Sequence, residues 1–128
     1  MNKTYKIILD GVEIGTSKLE KADAPMGVVF GEIIFKNKEW QYDLIKSYCL
    51  TNKIEIAADS PEDKLISTRT IDSLVIVNEQ GIEIKGTGNQ ISVMNNEGFE
   101  ISIEGIAYPF YEEEFPHHVK AYNEMFKE

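Results

Sequence analysis

Hydrophobic and polar residues alternate along most of the segment between Ile71 and Ile106. Alternation with a period of two is typical of strands that bury one face. The apolar positions are Leu74 and Ile76, then Ile82 and Ile84, then Ile91 and Val93, then Phe99, Ile101 and Ile103. The pattern predicts a run of antiparallel strands on which the rest of the chain packs.

Two short polar segments, Glu79-Gln80-Gly81 and Asn96-Glu97-Gly98, divide these strands. Each is a three-residue loop ending in glycine, which accepts the left-handed conformation that closes a type I turn with a bulge. Strands joined by these turns would bury their apolar positions on one face. The predicted cross-strand pairs are Ile76–Ile84, Val93–Ile101 and Ile91–Ile103.

A third hairpin is predicted near the N-terminus, where Thr4–Leu9 and Val12–Thr16 flank the turn-forming pair Asp10-Gly11. The predicted cross-strand pairs are Leu9–Val12, Ile7–Ile14 and Tyr5–Thr16.

The other elements are predicted from composition and from changes in period. Val28–Phe35 indicates a buried strand in which Gly31 marks a bulge or a close neighbour. A helix begins at Glu39 or Trp40 and ends at Leu50, with Leu44, Ile45, Tyr48 and Cys49 on one face. Further predicted elements are short strands at Lys53–Ala57 and Leu65–Arg69 and a C-terminal helix from about Pro116 to Phe126.

These elements predict an α+β fold with a mostly antiparallel β-sheet, formed as one curved sheet or a small open barrel. Two helices pack on it, one of them C-terminal. The 128 residues suit a single domain, 1–128.

Charge narrows the classes of partner, because 13 basic and 22 acidic residues give a net charge of −9. That charge argues against binding to nucleic acid or to an anionic membrane, and it permits binding to a basic protein. No apolar run is long enough to span a bilayer, and Cys49 is the one cysteine. We therefore expect a cytoplasmic protein.

No catalytic set is evident, and no cofactor is predicted. His117 and His118 each follow a glutamate, Glu113 and Glu114, by four residues, which is a spacing that can share a metal ion on one helix. Pro116 interrupts that helix, and adjacent residues point about 100° apart on a helix. The histidines are therefore interpreted as packed or surface residues rather than metal ligands, and Cys49 as a small core residue.

Two stretches, Leu19–Gly27 and Tyr108–His118, combine proline, aromatic or methionine residues with acidic ones. If exposed, such a mixture suits a recognition surface with apolar anchors and a polar rim. If buried, it serves only to join a sheet to a helix. Within the same stretches, Ala24-Pro25-Met26-Gly27-Val28-Val29-Phe30-Gly31 and Tyr111 to His118 resemble small bacterial proteins of unassigned function. That resemblance implies a bacterial cytoplasmic protein and carries no activity or site residues.

The leading hypothesis is a non-enzymatic binding protein that presents an acidic, aromatic surface, as an inhibitor or immunity-type protein would to a basic partner. The rival is a small-ligand-binding protein or enzyme with a pocket between the sheet and the C-terminal helix. A third interpretation is a homo-oligomer built by pairing exposed strand edges. The candidate binding residues are Tyr108, Tyr111, Glu112, Glu113, Glu114, His117 and His118.

Overall fold

The chain forms two four-stranded antiparallel sheets, a separate two-stranded hairpin and three helices within the residues that the computed structural model describes, which are 3–37, 41–93 and 98–125. The strands are β1 (Tyr5–Leu9), β2 (Val12–Ser17), β3 (Lys21–Asp23), β4 (Val28–Glu32), β5 (Ile34–Phe35), β6 (Ile56–Ser60), β7 (Leu65–Thr68), β8 (Leu74–Val77), β9 (Gly88–Val93) and β10 (Phe99–Glu104). The helices are α1 (Gln41–Asn52), α2 (Phe110–Glu114) and α3 (Pro116–Met125).

The first sheet has the strand order β5-β2-β1-β8 and the second has the order β3-β4-β10-β9, while β6 and β7 pair with each other. The chain passes from the first sheet to the second between β2 and β3. It returns at Ile33, whose backbone N–H donates to the Phe99 carbonyl at 2.9 Å. The α+β class, the antiparallel sheets and the C-terminal helix are confirmed, and the sheets do not close into a barrel. Two helices were predicted, and the additional one is α2, which is too short to show a helical period in the sequence.

The core lies on the inward-facing side of the strands, and α1 contributes one face to it. Ile45 and Cys49 are buried, while Leu44 and Tyr48 are half-buried against the core. This confirms the predicted apolar face of the helix, although its predicted start at Glu39 or Trp40 lies outside the described residues. The Tyr42 hydroxyl and the Lys46 ammonium both bond to Asp59, at 2.5 and 2.9 Å, and so attach α1 to β6.

The N-terminal hairpin contains a β-bulge that the sequence did not predict. Leu9 pairs with Val12 as expected, but Ile7 pairs with Gly15, and Tyr5 pairs with Ser17. The predicted pairs Ile7–Ile14 and Tyr5–Thr16 are therefore wrong. The extra residue bends β2 and buries both Ile14 and Gly15, so that β5 can approach β2 closely.

The predicted run of strands between Ile71 and Ile106 is divided between the two sheets, because β8 pairs with β1 while β9 pairs with β10. The turn at residues 79–81 is confirmed. Gly81 has φ 81°, and the Ile84 N–H donates to the Ile76 carbonyl at 2.8 Å, which matches the predicted pair. Ile82, however, is 51% exposed rather than in the core.

The register of β9 on β10 differs from the predicted one by two residues. Ile101 pairs with Ile91 and Phe99 pairs with Val93, so the predicted pairs Val93–Ile101 and Ile91–Ile103 are wrong. A shift of two residues leaves every side chain on its original face, and the predicted core residues of β9 and β10 are buried or half-buried. Asn96 and Glu97, the first two residues of the predicted turn, lie outside the described part of the chain.

The remaining predicted strands are present in the structure, but their bounds differ from the predicted ones. Val28–Phe35 forms two strands, β4 and β5, and a Cβ added at Gly31 would lie 2.4 Å from a Glu20 carboxylate oxygen, which confirms the close neighbour. The strand predicted at Lys53–Ala57 is observed as β6, which begins and ends three residues later. Strand β7 lies within the predicted strand Leu65–Arg69.

The close contact between β2 and β5 predicts a large effect of Gly15→Ala. The added Cβ would lie 2.4 Å from the Ile34 backbone oxygen, so a strand must move. We expect the free energy of unfolding to fall by about 2 kcal/mol in urea denaturation.

The matched control is Gly88→Ala, where the nearest atom is the Thr70 hydroxyl oxygen at 2.9 Å, on a side chain that can rotate away. We expect a loss below about 1 kcal/mol there. Equal losses for the two variants would contradict the predicted steric origin.

Candidate functional site

The two stretches that combine proline and acidic residues with aromatic residues or methionine, Leu19–Gly27 and Tyr108–His118, lie side by side in the structure. After β10 the chain turns at Gly105 and runs against the turn that precedes β4, where the Ile106 N–H donates to the Gly27 carbonyl at 2.9 Å. Gly27 has φ 67°, and a Cβ there would lie 2.5 Å from the Ile106 carbonyl oxygen. Only glycine allows the two backbones to come so close.

Two side-chain hydrogen bonds join the same stretches further along. The Tyr108 hydroxyl donates to the Ala24 carbonyl at 2.9 Å, and His118 Nε2 lies 2.8 Å from the Leu19 carbonyl oxygen. The bonded residues are 84 and 99 positions apart in the chain. The fold therefore makes one continuous surface from two segments that are distant in sequence.

Two tyrosines of this region have different roles. Tyr111 is fully buried, and its hydroxyl donates to the Val28 carbonyl at 2.9 Å. Tyr108 stacks on Tyr111 with ring centres 5.2 Å apart and an interplanar angle of 24°, yet remains 48% exposed. Burial, and then the negative charge of Glu112, raise the pKa of Tyr108. Tyr111 is therefore the support, and Tyr108 is the residue that faces outward.

The two stretches that meet at Tyr108 also carry exposed apolar and acidic side chains. Met26, in the 3-10 turn that contains Ala24, is 68% exposed. Carboxylates are exposed on both stretches, from Asp23 on one and from Glu112 and Glu113 on the other. We call these neighbouring residues the Tyr108 surface; its members are Asp23, Met26, Tyr108, Glu112 and Glu113.

Glu114 lies inside the protein rather than on this surface. Its carboxylate accepts hydrogen bonds from the Tyr5 hydroxyl at 2.8 Å and from the Asn78 side-chain amide at 2.9 Å. The Lys3 ammonium lies 3.5 Å from the same carboxylate and donates to the Glu114 carbonyl at 3.1 Å. Burial and then Glu114 raise the pKa of Tyr5. Glu114 therefore attaches α2 to the first sheet.

The two histidines begin α3 next to the fully buried Phe115. His118 is half-buried and bonded to Leu19, whereas His117 is exposed, and the centres of the two rings lie 4.2 Å apart. Partial burial and then His118 lower the pKa of His117. Phe115 packs against both imidazole rings and against the ring of Tyr111.

The described part of the chain contains no group of three or more histidine, cysteine, aspartate or glutamate side chains that could hold a metal ion. Nor does it contain a helix long and apolar enough to cross a membrane.

The sequence did not indicate the residues that position the site. Lys3, Tyr5 and Asn78 hold Glu114, and they belong to segments far from it in the chain. Tyr5 carried a partial signal, because alternation in β1 turns it inward, where a hydroxyl needs a partner. Nothing local to Asn78 indicated that its amide would bind a glutamate.

Comparison of the chain with family models, with curated proteins and with solved structures finds no match in any of the three.

The burial of Glu114 predicts a strong effect on stability. Glu114→Ala leaves the Tyr5 hydroxyl and the Asn78 amide buried without an acceptor, and we expect it to lower the free energy of unfolding by about 2 to 4 kcal/mol. Glu114→Gln keeps one acceptor oxygen and should lose about half as much. Chemical denaturation monitored by circular dichroism measures both losses.

The control is Glu113→Ala, one position earlier and exposed, which should change stability by less than about 0.5 kcal/mol. If Glu114→Ala matched this control, the two hydrogen bonds from Tyr5 and Asn78 to the Glu114 carboxylate would not contribute to stability as inferred.

Proposed function

We propose that this protein is a non-enzymatic binding protein whose Tyr108 surface engages a basic protein partner, in the manner of an inhibitor or immunity-type protein. The proposal rests on one observation. Two distant stretches meet to expose a tyrosine and a methionine among carboxylates.

The composition of this surface suits protein recognition. Aromatic and methionine side chains are enriched at interfaces, where they act as anchors, while a charged rim remains in water. Met26 and Tyr108 supply the anchors here, and Asp23, Glu112 and Glu113 supply the charge. A surface of this kind favours a partner with apolar contacts bordered by lysine or arginine.

The support beneath the surface makes it rigid. Tyr108 is held by its hydrogen bond to Ala24 and by its stack on Tyr111, so little side-chain freedom remains to be lost on binding. Among the candidate residues, Tyr111, Glu114 and His118 are supports, while Tyr108, Glu112 and Glu113 are available for contact.

The net charge of −9 extends the attraction beyond direct contacts. A strongly acidic protein attracts a basic partner over distances comparable with the Debye length, about 10 Å at 0.1 M salt. Rim charges act mainly on the association rate. The proposed binding should therefore weaken as salt rises.

The test is affinity capture from native cell extract at low and high salt, read by mass spectrometry, with wild type and the double variant Glu112→Lys, Glu113→Lys. We expect wild type to retain a stoichiometric basic protein at low salt and the variant to lose it. With the purified pair, the variant should associate about tenfold more slowly at low salt.

The matched control is Glu62→Lys with Asp63→Lys, which makes the same change in charge at the exposed turn between β6 and β7. This control should retain most of the bound partner. Equal losses for the two double variants would leave only non-specific charge attraction, and recovery of wild type alone would refute the proposal.

A further inference from the structure

Strand β9 lies at an edge of the second sheet, and in the described part of the chain it is the longest edge strand of the two four-stranded sheets. It has six residues, whereas the other edge strands, β3, β5 and β8, have two to four. An uncovered strand edge presents a row of backbone N–H and C=O groups that can pair with another strand. A cover is therefore most important at β9.

The chain that contains β7 lies along this edge. It runs antiparallel to β9 through three hydrogen-bonded contacts, which in order along β9 are Asn89 with Ile71, Ile91 with Thr68 and Val93 with Ser67. The first of these is a bond between backbone groups, from the Ile71 N–H to the Asn89 carbonyl at 2.9 Å. The other two differ from it in kind.

Side-chain hydroxyls accept the hydrogen bonds at these two contacts, where a neighbouring strand would use its carbonyls. The Ile91 N–H donates to Thr68 Oγ1 and the Val93 N–H donates to Ser67 Oγ, each at 3.2 Å. The Thr68 hydroxyl in turn donates to the Arg69 carbonyl at 2.7 Å. Two outward-facing N–H groups of β9 are thus satisfied, although β7 does not join the sheet.

Both strands of the β6–β7 hairpin are fixed to the rest of the protein. In β7, Ile66 and Thr68 are buried. In β6, Asp59 accepts a hydrogen bond from the Tyr42 hydroxyl and forms an ion pair with Lys46, both of which belong to α1. The hairpin therefore stays in place beside β9 without a backbone ladder between them.

We infer that the β6–β7 hairpin is a guard that keeps the edge of β9 from pairing with β9 of a second copy of this chain. Two identical strand edges related by a two-fold axis run antiparallel, so the edge of β9 is its own complement. The hydroxyls of Ser67 and Thr68 occupy the N–H groups that such a pairing would use. The guard shares no residue with the Tyr108 surface, so each can be tested without the other.

The test removes both hydroxyls with little change in shape, in the double variant Ser67→Ala, Thr68→Val. The N–H groups of Ile91 and Val93 then lose their acceptors, and pairing with a second β9 would supply new ones. We expect sedimentation velocity over a range of concentrations to show self-association about tenfold tighter than that of wild type, because each chain regains two backbone hydrogen bonds.

Amide hydrogen exchange identifies the surface that pairs. In wild type, the amides of Ile91 and Val93 should exchange slowly at every protein concentration. In the double variant they should exchange faster in dilute solution and slow again as the concentration rises. The amides of Gln90 and Ser92, which point towards β10, should exchange as they do in wild type.

Two control variants separate strand pairing from a general loss of stability. Thr68→Ser loses a buried methyl group but keeps the hydroxyl, so its self-association should match that of wild type. Val93→Pro, added to the double variant, removes one of the two freed N–H groups and should return self-association towards the wild-type level. Val93 directs that N–H away from β10, so proline leaves the pairing of β9 with β10 intact.

A folded double variant with the self-association of wild type would overturn the inference, and so would self-association that Val93→Pro does not reduce. If circular dichroism shows that the double variant is unfolded, Ser67→Ala takes its place, because it alters a half-buried side chain and frees only the Val93 N–H. We expect a smaller increase in self-association there. Unchanged self-association with unchanged exchange of the Val93 amide would again count against the guard.

Discussion

The buried carboxylate of Glu114 is the interaction on which the arrangement of the C-terminal region depends. A carboxylate removed from water is costly unless its oxygens accept hydrogen bonds. Here the donors come from Tyr5 in β1 and from Asn78 immediately after β8, so one side chain joins α2 to two adjacent strands of the first sheet. Asn78 also accepts hydrogen bonds from the N–H groups of Gln80 and Ile82, which form the turn after β8. The fold of the turn and the docking of α2 are therefore coupled.

This coupling determines what reaches the surface. With Glu114 and Phe115 fixed inside, the short helix α2 can turn only certain residues outward, and these include Glu112 and Glu113. Tyr111 points inward from the same helix and supports Tyr108 from below. Three consecutive glutamates thus divide into one structural and two surface residues. The three side chains are chemically identical, and they differ in exposure because successive residues of a helix point in different directions.

The sequence predicted local features well and pairings between distant segments poorly. The Asp10-Gly11 and Glu79-Gln80-Gly81 turns, the apolar face of α1 and the C-terminal helix depend on neighbouring residues, and the structure confirms them. The bulge in β2 accompanies instead a contact with a distant segment, the close approach of Ile34 to Gly15, and the division of the strands between two sheets depends on which edge β8 meets. Alternation identifies the buried face of a strand but not its partner. That is why the error of two residues between β9 and β10 changed the pairs and preserved the core.

For the candidate surface, likewise, the sequence indicated the individual stretches but not the contact between them. Both contributing stretches could be selected from composition, because each combines proline and acidic residues with aromatic residues or methionine. Their contact could not be predicted, since it depends on Gly27 accepting the backbone of Ile106 and on hydrogen bonds from Tyr108 and His118 to main-chain carbonyls. Carbonyl acceptors exist at every residue, so a sequence gives no sign of which will be used. The geometry that holds Tyr108 in place therefore arises from the tertiary fold.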